Sequence, residues 1–161
     1  MKILMVCLGN ICRSPLAEGV LRNKIVKAGL HWEVDSAGTG HYQTGCAPHK
    51  LSQKIARDKG IDICGQQCRQ FVKEDMDKFD KIYVMDIDNY NDVKRIAGEK
   101  WDAGKVDLLL NEAYPSENIG VPDPYYGVES DYVSVYRMID KACELIVAKA
   151  PTLKGEEEAQ P

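Results

Sequence analysis

Lys2-Ile3-Leu4-Met5-Val6-Cys7-Leu8-Gly9-Asn10-Ile11-Cys12-Arg13-Ser14-Pro15 is the stretch whose reading decides the fold. Ile3 to Val6 is a short apolar run with β-branched residues, the composition of a strand buried on both faces. Ser14-Pro15 marks a helix start, because proline is tolerated in the first turn and serine can cap it. The chain between them must turn tightly, and Gly9 lowers the steric cost of the unusual dihedrals this requires. Amides of such a turn converge as an anion nest, reinforced by the positive end of the following helix. The backbone of Leu8, Gly9, Asn10, Ile11, Cys12 and Arg13 is therefore a candidate phosphate cradle. Arg13 can hold two phosphate oxygens through its planar fork. Cys7 falls at the floor of that cradle, where the same field favours the nucleophilic thiolate. A Cys-x5-Arg loop in this context predicts phosphoryl transfer through a cysteinyl-phosphate intermediate. The plainer alternative for Cys7 is a buried apolar cysteine. Ser14 either donates a hydrogen bond to the sulfur or only caps the helix, and the residues leave both open.

Outward from this stretch, strands and helices alternate. Leu16 to Ala28 carries Leu16, Val20, Leu21 and Ile25 at helical spacing and is closed by Gly29. Trp32 to Ser36 reads as a second strand and Gly38 to Pro48 as a loop. A helix over His49 to Lys59 is stopped by Gly60, and a short helix over Lys73 to Phe79 leads into a third strand, Lys81 to Met85. Asp88 to Ala97 is a helix closed by Gly98, and Val106 to Leu110 is a fourth strand. Asn111 to Val128 is irregular and holds three prolines, the kind of loop that carries function. Ser130 to Ala150 is the last helix, with Val135, Ile139, Ala142 and Ile146 on its inner face. The pattern predicts an α/β fold of three layers, a four-stranded parallel sheet with helices on both faces. Ligands bind such sheets beyond the carboxyl ends of the strands. The Cys7 loop after strand one, Ser36 after strand two and Asp86 after strand three should therefore gather at one edge. Residues 1–150 are expected to form one domain. The tail 151–161, with three consecutive glutamates and no apolar anchor, is expected to be disordered.

The chain has 161 residues and a formal net charge of -4, which argues against a nucleic-acid partner. No apolar run is long enough for a membrane span, and the start does not read as a signal peptide. Six cysteines without a secretion signal read as reduced thiols in a cytoplasmic protein. His31, His41 and His49 are scattered, no spacing matches a zinc site, and neither metal nor cofactor is expected.

Val6-Cys7-Leu8-Gly9-Asn10-Ile11-Cys12-Arg13-Ser14-Pro15-Leu16-Ala17-Glu18 resembles the phosphate-binding loop of the low-molecular-weight protein tyrosine phosphatases. Asp35-Ser36-Ala37-Gly38-Thr39, Val84-Met85-Asp86 and Val121-Pro122-Asp123-Pro124-Tyr125-Tyr126 resemble further segments of the family, in the family's order. The resemblance runs to about Ala150 and is to a bacterial-type member. It implies sheet order 2-1-3-4 and hydrolysis of phosphotyrosine, with Cys7 as nucleophile. It also implies that Asp123 is the general acid and then the base that activates water. By its residues alone, Asp123 between two prolines reads first as an Asp-Pro turn. Asn10 and Ser36 match a pair that braces the loop, with Ser14 in support. Tyr42, Tyr125 and Tyr126 match positions that line the substrate cleft; alone they read as surface aromatics. Asp86 either orients Arg13 or caps the next helix. Cys12 matches a cysteine that forms a reversible disulfide with the nucleophile under oxidation, and its plainer reading is a packed thiol. The implied partners are phosphotyrosine proteins, among them a bacterial tyrosine kinase, acted on by a monomer or weak dimer.

The chain departs from the family at His49-Lys50, Cys46 and Cys68, which bears on the cleft rim and partner preference. Ile11 stands where relatives acting on phosphoarginine tend to carry threonine, which favours phosphotyrosine. A second function class is a thioredoxin-coupled arsenate reductase of the same fold. It needs a further cysteine pair, for which Cys64 and Cys68 are the candidates.

Overall fold

A computed structural model describes residues 1–150; the expected disorder of the 151–161 tail falls outside the described residues. Four strands form one parallel sheet in the order β2-β1-β3-β4. They are β1 (Lys2–Cys7), β2 (Glu33–Gly38), β3 (Lys81–Val84) and β4 (Val106–Leu108). The helices are α1 (Arg13–Lys27), α2 (Lys50–Asp58), α3 (Asp75–Lys78), α4 (Ile87–Ala97) and α5 (Glu129–Ala148). The fold class and strand order are those expected from the sequence.

The alternation along β1 divides the core. Ile3 and Met5 face a cluster built with Leu16, Val20 and Leu21 of α1 and Val135, Ile139 and Ile146 of α5. Leu4 and Val6 face the opposite cluster with Ile82 and Val84 of β3, Val93 and Ala97 of α4, and Phe71 and Met76. A strand buried on both faces must be apolar at successive positions, which is why Ile3 to Val6 has no polar interruption. Each fully buried aliphatic side chain contributes roughly 1.5–3 kcal/mol of transfer free energy. The first strand is thus the spine on which both layers hang.

Several boundaries differ from the sequence reading. The strand predicted over Val106 to Leu110 stops at Leu108, and Leu109–Glu112 forms a 3-10 turn. Leu109 and Leu110 both enter the α1/α5 cluster, whereas Leu108 enters the other. A strand sends successive side chains to opposite faces, so only a helical turn directs this adjacent pair the same way. The second strand runs on to Gly38, so Ser36 lies within it rather than after it. A Cβ on Gly38 would sit 2.7 Å from the Leu8 carbonyl oxygen, so glycine is what lets β2 continue alongside the loop after β1. Helix α1 starts at Arg13, with Cys12 at its N-cap and no side-chain cap. Ser14 therefore sits inside the first turn and does not cap. The helix read over Lys73 to Phe79 is a single turn, Asp75–Lys78.

Candidate active site

Backbone hydrogen bonds explain why residues 7–13 curl into a cradle. The Cys7 and Leu8 carbonyls accept the N–H groups of Thr39 (2.9 Å) and Gly40 (2.8 Å). The Asn10 carbonyl accepts the thiol of Cys68 at 2.8 Å, and that of Ile11 accepts the His49 N–H at 2.7 Å. The Cys12 carbonyl accepts the Ser52 hydroxyl at 3.1 Å. With these carbonyls turned outward and satisfied, the amides of the loop are left to face inward, the arrangement of an anion nest. Asn10 sits at φ 55°, a left-handed conformation that asparagine tolerates better than most residues.

The Asn10 side chain ties the loop to three other segments. Its Oδ1 accepts the Arg69 N–H at 3.0 Å, so its Nδ2 faces Ser14 and Ser36. That nitrogen donates to Ser14 Oγ at 2.8 Å and Ser36 Oγ at 3.0 Å. Ser36 in turn donates to Glu18 Oε1 at 2.9 Å, and Arg22 Nη1 donates to Glu18 Oε2 at 2.7 Å. Glu18 is buried, and burial raises its carboxyl pKa against the opposing pull of Arg22. The expected Asn10–Ser36 brace is present in the geometry. Glu18, at its far end, had no role assigned from sequence. Its signal was the spacing Ser14, Glu18, Arg22 along one face of α1.

Cys7 is 2 % exposed at the end of β1. Its Sγ lies 3.0 Å from Ser14 Oγ and accepts the Asn10 N–H at 3.3 Å. Because Asn10 already donates to Ser14, the serine's single proton is left to the sulfur at 3.0 Å or to the more distant Ala37 carbonyl at 3.4 Å. Between the two readings of Ser14, its position thus favours the sulfur donor.

Arg13 is as deeply buried as Cys7. Its Nη1 donates to Asp86 Oδ2 at 2.6 Å and to the Val121 carbonyl at 2.9 Å. Burial works against the cation, yet Cys7, Asp86 and Asp123 together hold the guanidinium more firmly protonated than usual. Asp86 meets both of its sequence readings at once. One oxygen receives Arg13, and the other caps α4 by accepting the Asn89 N–H at 2.9 Å. Asp123 Oδ2 stands 3.7 Å from Arg13 Nη2, and its Oδ1 accepts the Tyr125 N–H at 3.1 Å.

These groups line a cleft of about 200 Å³, with Tyr42, Tyr125 and Tyr126 on its walls. Tyr125 meets Tyr126 edge-on, ring centroids 4.7 Å apart, while Tyr126 itself is 97 % exposed. Tyr126 is therefore the outermost of the three. Ile11 also lines the cleft. His49 accepts the Leu51 N–H at the start of α2 and stacks on Tyr132 at 5.2 Å. Cys12 also borders the cleft, with its sulfur 3.6 Å from the Tyr132 hydroxyl, and burial pushes its thiol pKa up to about 12. Tyr132 and Cys68 support the loop and were not assigned that role from sequence.

A parallel α/β sheet with a cysteine-bearing, arginine-closed nest at the carboxyl end of its first strand defines a class of cysteine-containing phosphate-binding proteins. The sequence pattern of the low molecular weight phosphotyrosine protein phosphatases matches residues 2–158, and the chain belongs to that family of hydrolases. It is 39 % identical to low molecular weight protein-tyrosine-phosphatase YfkJ of Bacillus subtilis, over 91 % of this chain and 93 % of that protein. The crystal structure of YfkJ superposes with a TM-score of 0.87, covering 96 % of each chain. The human low molecular weight phosphotyrosine protein phosphatase is 38 % identical over 92 % of this chain and 94 % of its own. A Drosophila arginine phosphatase is 30 % identical, with a TM-score of 0.85, over 93 % of this chain and 98 % of that one. Among the described residues, no helix is long and apolar enough to cross a membrane.

Proposed function

We propose that this enzyme hydrolyses phosphotyrosine in proteins, a bacterial tyrosine kinase among them, through a phosphocysteine at Cys7. The observation that carries this reading is the sulfur of Cys7 at the cleft floor, with the Ser14 hydroxyl 3.0 Å away and Arg13 and Asp123 lining the same cleft. The Cys7 thiolate attacks phosphorus while the bond to the tyrosine oxygen breaks. Arg13 and the loop amides hold the three equatorial oxygens, where charge accumulates. Asp123, as the carboxylic acid, gives its proton to the departing phenolate. Its carboxylate then takes a proton from the water that attacks the phosphocysteine, and the thiolate leaves. Ser14 and the Asn10 N–H stabilise that sulfur anion at departure.

The anchoring of Arg13 supports this division of labour. Asp86 and the Val121 carbonyl fix one nitrogen, so the fork is aimed before substrate arrives and little entropy is lost on binding. Tyr42 and Tyr125 flank a slot suited to an aromatic leaving group. Ile11 presents an apolar wall there, in keeping with a phenyl ring rather than a guanidinium. Cys12 adds a redox role to this reading. Its thiol, beside the Tyr132 hydroxyl, is the partner with which Cys7 forms a disulfide under peroxide. The six free cysteines fit a reducing, cytoplasmic setting. An arsenate reductase would need Cys64 and Cys68 to relay a disulfide outward. Cys68 is instead buried with its thiol directed at the Asn10 carbonyl while Cys64 is exposed, so the two do not present a surface pair for thioredoxin, and the phosphatase reading is preferred.

The test is metal-free hydrolysis of a phosphotyrosine peptide by wild type, Cys7→Ser and Asp123→Ala. Turnover that vanishes with Cys7→Ser and falls about 10²–10⁴-fold with Asp123→Ala supports both roles. Absence of wild-type turnover under reducing conditions refutes the reading, and reduction of arsenate coupled to thioredoxin would then favour the reductase.

A further inference from the structure

Two cysteines that the proposed reaction does not use lie opposite each other beside the phosphate loop. The Gly45 N–H donates to the Cys68 carbonyl at 2.8 Å, and the Cys68 N–H donates to the Cys46 carbonyl at 2.8 Å. Cys68 is thus paired with Gly45 and Cys46 in the manner of a bulged antiparallel bridge, two residues facing one. Residues facing each other across a regular antiparallel pair have Cα atoms roughly 4.5–5.5 Å apart. That span lies within the range of about 4.4–6.8 Å that a disulfide accepts. The two thiols differ in setting. Cys46 is exposed and open to oxidants, whereas Cys68 is buried. Burial first, and the neighbouring Cys46 second, push the Cys68 thiol pKa up to about 11. Cys68 therefore persists as a thiol beside a more accessible partner. Its S–H is also in use, donating to the Asn10 carbonyl at 2.8 Å.

We propose that Cys46 and Cys68 form a reversible disulfide under hydrogen peroxide, and that its formation loosens the phosphate loop at Asn10. The Cys46 thiolate attacks one peroxide oxygen, the O–O bond breaks, and hydroxide leaves, giving a sulfenic acid at Cys46. The Cys68 sulfur then attacks the Cys46 sulfur, the S–O bond breaks, and water leaves with the thiol proton. The net change is two thiols and one peroxide to one disulfide and two waters. The proton that Cys68 gave to the Asn10 carbonyl is lost in this step. Asn10 is the residue held at φ 55° whose N–H reaches Cys7, so the modification reaches the cradle through a single residue. This device is separate from any disulfide between Cys7 and Cys12, since it draws on neither thiol.

Trypsin separates the candidates cleanly: Cys7 and Cys12 fall in peptide 3–13, Cys46 in 28–50, and Cys64 with Cys68 in 60–69. The experiment treats the full-length Cys7→Ser protein with hydrogen peroxide, blocks free thiols, and maps peptides without reductant. The expected product is peptide 28–50 joined to 60–69, two hydrogens lighter than their sum and released by dithiothreitol. It should persist in a Cys64→Ser background and vanish with Cys46→Ser. Sulfinic or sulfonic acid on Cys46 beside an unmodified Cys68 would overturn the proposal. The link to the cradle rests on the proposed phosphatase reaction and is read separately, in wild type with inorganic phosphate shielding Cys7. There turnover should fall at least threefold and return with dithiothreitol, while Cys46→Ser starts at wild-type activity and keeps it. A cross-link that leaves turnover unchanged would overturn the coupling through Asn10. A wild type with no turnover at all would refute the phosphatase reading and leave the peptide map standing.

Discussion

Replacing Asn10 with alanine should loosen the phosphate loop and destabilise the fold by several hydrogen bonds at once. The side chain makes three hydrogen bonds, to the Arg69 N–H at 3.0 Å, to Ser14 at 2.8 Å and to Ser36 at 3.0 Å. At about 1 kcal/mol net for each, their loss removes about 3 kcal/mol. Alanine must also hold φ 55°, which adds about 1 kcal/mol. The sum, about 4 kcal/mol, corresponds to a fall in melting temperature of roughly 8–16 °C for a domain of this size. Asn10→Gly loses the same hydrogen bonds but escapes the backbone penalty, so it should be about 1 kcal/mol more stable than Asn10→Ala. Urea titrations of the three proteins measure the differences, and phosphotyrosine turnover should fall at least tenfold in both variants. A loss below about 1 kcal/mol for Asn10→Ala would show that the side chain does not hold the loop, and equal stability of the two variants would show that the left-handed backbone carries no penalty for alanine.

Alkaline pH should destabilise the fold through its buried thiols. The pKa values of Cys12 and Cys68 are raised by burial to about 12 and about 11 from a reference of 9.0. Stability from these groups is complete below about pH 9 and is lost as pH rises, because the unfolded chain ionises first. The loss is about 1.4 kcal/mol per pH unit for each thiol. Denaturation in reductant between pH 8 and 10.5 reads this slope, and Cys12→Ala should make it shallower; an unchanged slope contradicts the assignment. Gly38→Ala should displace the loop rather than unfold the sheet, since its Cβ would meet the Leu8 carbonyl at 2.7 Å and the Asn10 nitrogen at 3.0 Å. Turnover should drop at least tenfold with far-ultraviolet circular dichroism retained, and wild-type turnover would refute the close approach.

What the sequence disclosed followed from local patterns with one physical cause each. The unbroken run Ile3 to Val6 can be satisfied only by a strand covered on both faces, and that determines the three layers. Cys7, Arg13 and Asn10 lie within seven residues, so their convergence follows from one turn. Asp86 and Asp123 required knowledge of which loops share an edge, which the parallel order supplies. Contacts between distant segments were hidden. Cys68 reaching the Asn10 carbonyl spans 58 residues, and Tyr132 reaching Cys12 spans 120. Nothing in either neighbourhood marks the partner. The fourth strand was read too long because Leu109 and Leu110 are as apolar as strand residues. Only their shared side of the sheet reveals the turn.

The segment around Arg69 pairs with the last residue of the edge strand β2. Gly38 donates to the Arg69 carbonyl at 2.9 Å and accepts the Phe71 N–H at 2.7 Å, while the Arg69 N–H reaches Asn10. One stretch of chain therefore covers the carboxyl end of the β2 edge and seats the anion loop. When it peels away, the molecule loses its cradle and presents unpaired strand groups at the same moment. The inactive species produced by such local opening is then also the one prone to add strands from neighbouring chains. A ligand that fastens the loop protects against aggregation as well as against inactivation.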